Sequence, residues 1–194
     1  MPKVYSVEER ERIRKALRRE AGRCLQLYGV RRTTVDELVK RTDIPKGTFY
    51  LFYESKEALF FDLISTFSDE VENEYLSMLQ EIDENHIVTS LTEVFYTLLM
   101  KFYKKGLFRF LDGSELELVL RRLPSEAMAD VKGRLAKVLE NLFSYFYIDN
   151  KEDIKAFCSG YEALLYVLLS ADKIEDMEKA LRLLVRGLVL QMVE

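Results

Sequence analysis

Residue types that do covalent or acid–base chemistry are sparse in this chain. Histidine occurs once, at His86, so any Ser-His-Asp or Cys-His relay would have to pass through it, and no nucleophile motif accompanies it. His86 lies at the polar break Asp83-Glu84-Asn85, where a surface or helix-start role fits. Cys24 and Cys158 cannot complete a zinc site with one histidine unless carboxylates fill in. Each falls at an apolar helical spacing, the place of a reduced, buried thiol. No catalytic residue, metal site or cofactor is therefore expected. A different chemistry is written in residues 34–53. They read as a short helix, a turn of three or four residues and a second short helix, which is helix-turn-helix geometry. A first helix capped by a hydroxyl aims its N-terminal amides at a phosphate. The second is of a size to enter the major groove.

The elements that must hold this pair are all helical. With 8 Gly and 3 Pro in 194 residues, the chain lacks the turn punctuation of a β or α/β fold. Ser6-Val7-Glu8-Glu9 has the form of a capping box. Beyond it Ile13, Ala16, Leu17, Ala21, Cys24, Leu25 and Tyr28 mark one buried face, opposite Arg12, Arg14, Lys15, Arg18, Arg19 and Arg23. These arginines read as a solvated face paired with Glu8, Glu11 and Glu20, adding a positive field even so. Gly29 is placed to end the helix in a left-handed conformation. A second capping box, Thr34-Val35-Asp36-Glu37, opens a helix running to about Thr42, because Pro45 disfavours α conformation at Ile44. Pro45 can begin a third helix, 46–53, with Phe49, Phe52 and Tyr53 inward and Lys46, Thr48, Tyr50 and Leu51 outward. Ser55 caps a long fourth helix. Further helices are expected over about 86–105, one or two within 107–123, then 125–147, 151–170 and 174–193. No uncharged apolar run reaches the length of a membrane span, and the charged N-terminus is no signal peptide.

Thr33-Thr34-Val35-Asp36-Glu37-Leu38, Lys46-Gly47-Thr48-Phe49-Tyr50 and Ser55-Lys56-Glu57-Ala58-Leu59, in this order and at these gaps, resemble the N-terminal module of the TetR family of bacterial transcriptional regulators. The likeness spans about residues 10–60. It implies an all-α protein with a three-helix DNA-binding domain, 1–56, and a helical ligand-binding and dimerisation domain, 57–194. Carried over by position, Thr33 and Thr34 correspond to phosphate-contacting hydroxyls, and Lys46, Gly47 and Thr48 open the recognition helix. Tyr50 matches a DNA-contacting tyrosine, Leu51 a base-reading position and Lys56 a phosphate-binding lysine. A cation at a helix N-terminus is unfavourable for the dipole, which also favours a phosphate role for Lys56. The turn Thr42-Asp43-Ile44-Pro45 departs from the frequent Ala-Gly-Val-Ser, although Asp tolerates positive φ at position 43. Leu51 cannot hydrogen-bond a base, so its contact would be apolar, for instance with a thymine methyl. Phe52-Tyr53 stands where the family often has an aromatic pair in another order, which leaves the helix end open.

The resemblance implies a cytoplasmic regulator, usually a repressor, that meets a palindromic double-stranded operator as a homodimer and releases it on binding a small hydrophobic or aromatic effector. Aromatics are dense after residue 90, and most fit a packed core. Tyr96, Tyr103, Tyr161 and Tyr166 are candidates for polar tips in an effector pocket, because buried hydroxyls need partners. Glu162, inside an apolar run, fits either a pocket carboxylate or an ion pair at a dimer face. The last two helices carry more apolar surface than one intramolecular face requires, so a four-helix dimer interface is expected there. Ligand binding would favour a pose of the fourth helix that separates two heads meant for half-sites about 34 Å apart. The net charge of −4 hides an excess of six positive charges in residues 1–56 over an acidic remainder. The reading from another class is a helical protein-interaction module that does not bind DNA specifically.

Overall fold

A computed structural model describes residues 5–123, 126, 129 and 151–193. The helix expected over 125–147 lies outside the described residues. Among those described, every regular element is helical. In order they are α1 (Val7–Arg32), α2 (Val35–Thr42), α3 (Lys46–Tyr50), α4 (Lys56–Gln80), α5 (Ile87–Lys104), α6 (Ser114–Leu120), α7 (Lys151–Val167) and α8 (Met177–Val193). Short 3₁₀ segments precede α5 (Glu84–His86) and α6 (Leu107–Asp112), and another follows α7 (Leu168–Lys173). No helix among the described residues is long and apolar enough to cross a membrane.

The chain divides into two compact units. One takes the residues up to Thr66 and returns for the segment from Lys105 through α6; the other takes Phe67–Lys104 and the last two helices. The expected boundary at residue 56 is a boundary of charge. Packing is set by apolar faces, and these draw residues 105–123 to the first unit. Leu17, Ala21, Cys24 and Leu25 of α1 are fully buried there, with Leu38 of α2, Phe49 of α3 and Leu59 and Phe60 of α4. Leu107, Phe108, Phe110 and Val119 from the returning segment complete that core. In the second unit α5 buries Leu91, Phe95, Leu98 and Leu99, and packs chiefly on α8, which buries Leu181, Val185 and Val189. At Gly160 of α7 an added Cβ would lie 2.9 Å from Leu188 Cδ2 of α8, so a small residue permits that approach.

The caps follow the sequence at the start and depart from it later. Ser6 Oγ accepts from the Glu9 amide and the Glu9 carboxylate accepts from the Ser6 amide, a complete capping box. At α2 only half the box forms. Thr34 Oγ1 accepts from the Glu37 amide at 3.2 Å, but the Glu37 side chain turns instead to the Tyr28 hydroxyl and to Arg41. Asp43 closes α2 in the left-handed region (φ 53°, ψ 46°).

Gly29 departs furthest. Its dihedrals, φ 80° and ψ 177°, lie outside the left-handed helical region and in one open essentially to glycine alone. Helix α1 is therefore broken there, and Val30–Arg32 form a separate turn. The break frees backbone groups, and side chains meet several of them. Glu115 Oε2 of α6 accepts from the Val30 and Arg31 amides at 2.5 and 3.2 Å. Thr33 Oγ1 donates to the Gly29 carbonyl at 2.7 Å. Arg109 donates through Nε and Nη2 to the Gln26 carbonyl at 3.3 and 3.1 Å. An added Cβ on Gly29 would fall 2.5 Å from the Glu115 carboxylate.

Gly29→Ala should accordingly destabilise the protein by about 2–4 kcal/mol through backbone strain and a lost carboxylate cap. Gly47→Ala, in α3 with open space around its position, should be neutral or stabilising by up to about 1 kcal/mol. Paired urea titrations of the two variants check this, and equal midpoints would rule it out.

Candidate nucleic-acid interface

The three-helix head is assembled from the N-terminus inward. Helix α2 buries Leu38 and Val39 against α1, and α3 follows across the turn Asp43-Ile44-Pro45. Pro45 (φ −62°, ψ 145°) sits at the start of α3 with no side-chain cap. Helix α3 ends at Tyr50, earlier than the expected residue 53. Leu51 and Phe52 form a turn whose amides return to Thr48 and Phe49. Phe49 is the buried anchor, and the Tyr50 ring stands edge-on to it at 5.4 Å and 88°. Tyr50 and Leu51 are 52% and 54% exposed, as an interface requires.

Beyond this pair, the sites carried over by position are placed unevenly. Thr34 is exposed, with its hydroxyl oxygen capping α2. Lys46 and Gly47 are exposed, and Lys46 Nζ pairs with Asp36 Oδ1 at 2.8 Å, which holds its ammonium above the usual lysine range. Thr33 is fully buried, and its hydroxyl is spent on the Gly29 carbonyl, so it does not present the expected phosphate contact. Thr48 was expected outward but is 7% exposed, with its hydroxyl 3.1 Å from that of Tyr5. Its partner Tyr5 belongs to the segment that leads into α1, which covers this side of α3.

Lys56 also differs. Its ammonium donates to the carbonyls of Val30 and Thr33, both at 2.8 Å, and of Arg31 at 3.3 Å. These contacts use all three donors. The Lys56 charge lies at the N-terminus of α4 by sequence but answers carbonyls at the C-terminus of α1 in space, where the dipole favours a cation. Sequence reasoning missed Glu115 and Arg109 altogether, since no local pattern links them to residues more than eighty positions away.

Part of the positive charge of α1 is paired. Arg18 bridges Glu11 (2.7 Å) and Asp62 (3.1 Å), while Arg19 and Arg23 share the buried Glu20 carboxylate at 3.1 and 2.9 Å. Arg10 and Arg14 lie over the Phe52 ring at 5.2 and 5.9 Å. Tyr53 ties the end of the head to α4 by donating to Asp62 Oδ2 at 2.5 Å; burial, then the Asp62 carboxylate, push its phenol well above the usual tyrosine range.

In the second unit the candidate effector residues do not converge. Tyr161 is half-buried and donates to the Phe95 carbonyl at 3.0 Å, within a cluster of Phe95, Phe157 and Tyr161 rings 5.1–6.4 Å apart. Tyr96 is buried beneath the Arg182 guanidinium, 3.9 Å from its ring, with its hydroxyl 3.5 Å from Glu178. Tyr103 is half-buried. Glu162 and Tyr166 are exposed on α7, Tyr166 by half. Their helical offset from the buried Phe157 and Leu164 puts them on the outer face, so neither belongs with Tyr96 and Tyr161. Cys24 is buried and Cys158 only half so; both are free, and burial raises each thiol.

The fold and this head define an all-α helix-turn-helix protein. Residues 17–63 match the family model described as bacterial regulatory proteins, tetR family. The uncharacterized HTH-type transcriptional regulator YdgC of Bacillus subtilis (strain 168) is 35% identical over 79 residues, 41% of this chain. That match spans 38% of the relative's length. Among solved structures, the fatty acid degradation regulator FadR from Bacillus halodurans aligns with TM-score 0.65 and 16% identity over 96% of this chain and 97% of its own. FadR from Bacillus subtilis, in complex with stearoyl-CoA, aligns with TM-score 0.61 and 16% identity over 90% and 97%. Residues 17–63 thus resemble a tetR-family helix-turn-helix module, and the proteins named above, which the chain is similar to, are described as regulators.

Lys56→Met should cost about 1–3 kcal/mol by leaving carbonyls of the α1 break without their charged donor, measured by thermal melting; an unchanged melt would refute the cap. The Tyr53 phenol gives a pH dependence. An acid whose folded value is raised supports stability below its unfolded value, about pH 10, and loses it as pH climbs toward the folded one. Melting temperature should therefore fall above about pH 10, and Tyr53→Phe should flatten that fall. An identical slope in the variant would assign the loss elsewhere.

Proposed function

We propose that this chain is a cytoplasmic, ligand-responsive transcriptional regulator, a repressor that holds a palindromic double-stranded operator as a homodimer and releases it when a small hydrophobic or aromatic effector binds. The observation that carries this reading is the exposed pair Tyr50–Leu51 on a short helix positioned by α1 and α2. Two large side chains standing half exposed side by side on the outer face of a helix-turn-helix are a surface fit to meet a partner. The positive excess of residues 1–56 supports a phosphate-bearing partner. We further propose residues 1–56 as the reading head, and 57–194 as the part that binds effector and dimerises.

Dimerisation finds support in α7 and α8. Leu183 and Leu184 are 71% and 48% exposed, and Tyr166 and Leu169 near the end of α7 are also open. Symmetric pairing of these helices would cover them. A dimer also doubles a short recognition surface across two half-sites. The effector class takes its support from the aromatic cluster around Phe95, and from the stearoyl-CoA bound to the FadR of Bacillus subtilis.

Full-length protein should shift duplexes from its own promoter region, with affinity that falls steeply as salt rises. Tyr50→Ala should weaken binding about tenfold or more at constant salt while melting like the parent. Leu183→Asp with Leu184→Asp should give monomers by sedimentation and lose operator binding together with dimerisation. Salt-independent association, or retention of a protein partner with no DNA bound, would favour a protein-interaction module.

A further inference from the structure

The DNA-binding reading leaves open what in a half-site this head recognises, and the chemistry of α3 narrows it. Among residues 45–51 the exposed positions are Pro45, Lys46, Gly47, Tyr50 and Leu51. Pro45 and Gly47 offer no side-chain hydrogen bond. Thr48, the hydroxyl at the centre of the helix, is buried and bonded to Tyr5. Lys46 comes with the Asp36 carboxylate at 2.8 Å, so the start of the helix presents a net-neutral pair and not a free cation. The next donors are also engaged. Arg41 bonds Glu37 and Tyr28, and Lys56 is held by the three carbonyls of the α1 break. No arginine, asparagine or glutamine stands among residues 45–51, and the lysine there is paired with a carboxylate, so the planar forks that read guanine O6 and N7, or adenine N6 and N7, are not offered by this face. What stands out from it is carbon: the Leu51 isobutyl group, and a Tyr50 ring held edge-on by Phe49.

In the major groove the apolar feature on a base edge is the thymine C5 methyl. Resting on the DNA-binding reading above, we propose that this head recognises its half-site through thymine methyls, with Leu51 and the Tyr50 ring as the specificity-determining side chains. Leu51 would lie on one methyl and Tyr50 on a neighbouring one, the Tyr50 hydroxyl remaining at the edge of the contact.

The test begins with the full-length protein and a random duplex library, from which bound sequences are selected. Each thymine of the selected half-site is then replaced singly by deoxyuridine, which removes the methyl and leaves base pairing intact. At one or two positions per half-site affinity should drop roughly fourfold, the worth of one buried methyl. 5-Methylcytosine at the same position should bind better than cytosine. In Leu51→Ala, an exposed site that leaves the fold intact, thymine and deoxyuridine should bind equally at the position under residue 51. Three results overturn the proposal while leaving DNA binding in place. These are indifference to every thymine-to-deoxyuridine change, a half-site whose affinity instead depends on guanine N7 (read by 7-deazaguanine substitution), or methyl sensitivity that survives in Leu51→Ala and in Tyr50→Ala. A selection that enriches no sequence removes the DNA-binding reading, and this inference with it.

Discussion

The break at Gly29 is the constraint on which the head is built. A continuous helix would keep its amides and carbonyls to itself. Interrupting α1 at φ 80° instead releases groups that cannot stay unpaired beside a core. Their partners come from three directions: Thr33 from the chain just ahead, Lys56 from the start of α4, and Glu115 with Arg109 from a segment some eighty residues on. Each bond fixes the junction between α1 and α2, and so fixes the angle at which α2 and then α3 leave it. The close fit of the returning segment extends this. At Gly106 an added Cβ would come within 2.8 Å of the Gly22 carbonyl, so backbone lies on backbone just upstream of the break. Cation and carboxylate sit where the local partial charges ask for them, Glu115 at freed amides and Lys56 at freed carbonyls.

This arrangement redistributes the polar residues of the head. A hydroxyl or ammonium can satisfy a backbone group of its own protein or wait for a phosphate, and a buried backbone group is the more expensive to leave unmet. Thr33, Thr48 and Lys56 are all committed inward. Apart from Lys46, which is paired with Asp36, the outward surface of α3 is left with small, aromatic and aliphatic groups, a composition suited to shape and methyl contact. On the proposed DNA-binding reading, affinity for phosphate would come from the basic residues that remain exposed, among them Arg12, Lys15, Arg31, Arg32 and Lys40. A division in which charge supplies attraction and α3 supplies discrimination is the usual one at such interfaces.

The sequence showed best what depends on neighbours a few residues apart. The Ser6 box, the Thr34 cap, the positive φ of Asp43 and the buried stripes of α1 and α4 all follow from residues within one or two helical turns. It showed least where one side chain had two local choices and a distant third. Glu37 could have closed the capping box but pairs with Tyr28 and Arg41, because the C-terminal half of α1 passes within reach. Lys56 could have faced solvent but finds carbonyls that exist only because α1 breaks. Gly29 was recognisable as a stop, whereas its ψ of 177°, which turns a stop into a hub, depends on Glu115 being there to receive the amides. Among the candidate effector residues the difficulty was rotational. Tyr161 and Tyr166 are five positions apart, more than a full turn, so they look out on different faces of α7.

Net charge shows the same interplay of local pattern and spatial pairing. Six excess positive charges in residues 1–56 suggest a strong, diffuse attraction for polyanions. Much of that charge is nevertheless answered within the first unit, by Glu11 and Asp62 on Arg18, by the buried Glu20 on Arg19 and Arg23, and by Glu37 on Arg41. The more open of these pairs, such as Glu37 with Arg41, hold geometry without adding much stability. Their effect is to shorten the range over which the head attracts, since a paired arginine presents a dipole where a free one presents a charge. On the proposed reading, in which the protein must leave non-specific DNA and remain on a chosen sequence, it gains from that restraint. The fewer counterions it releases on any duplex, the more of its total affinity rests on the contacts that tell one sequence from another.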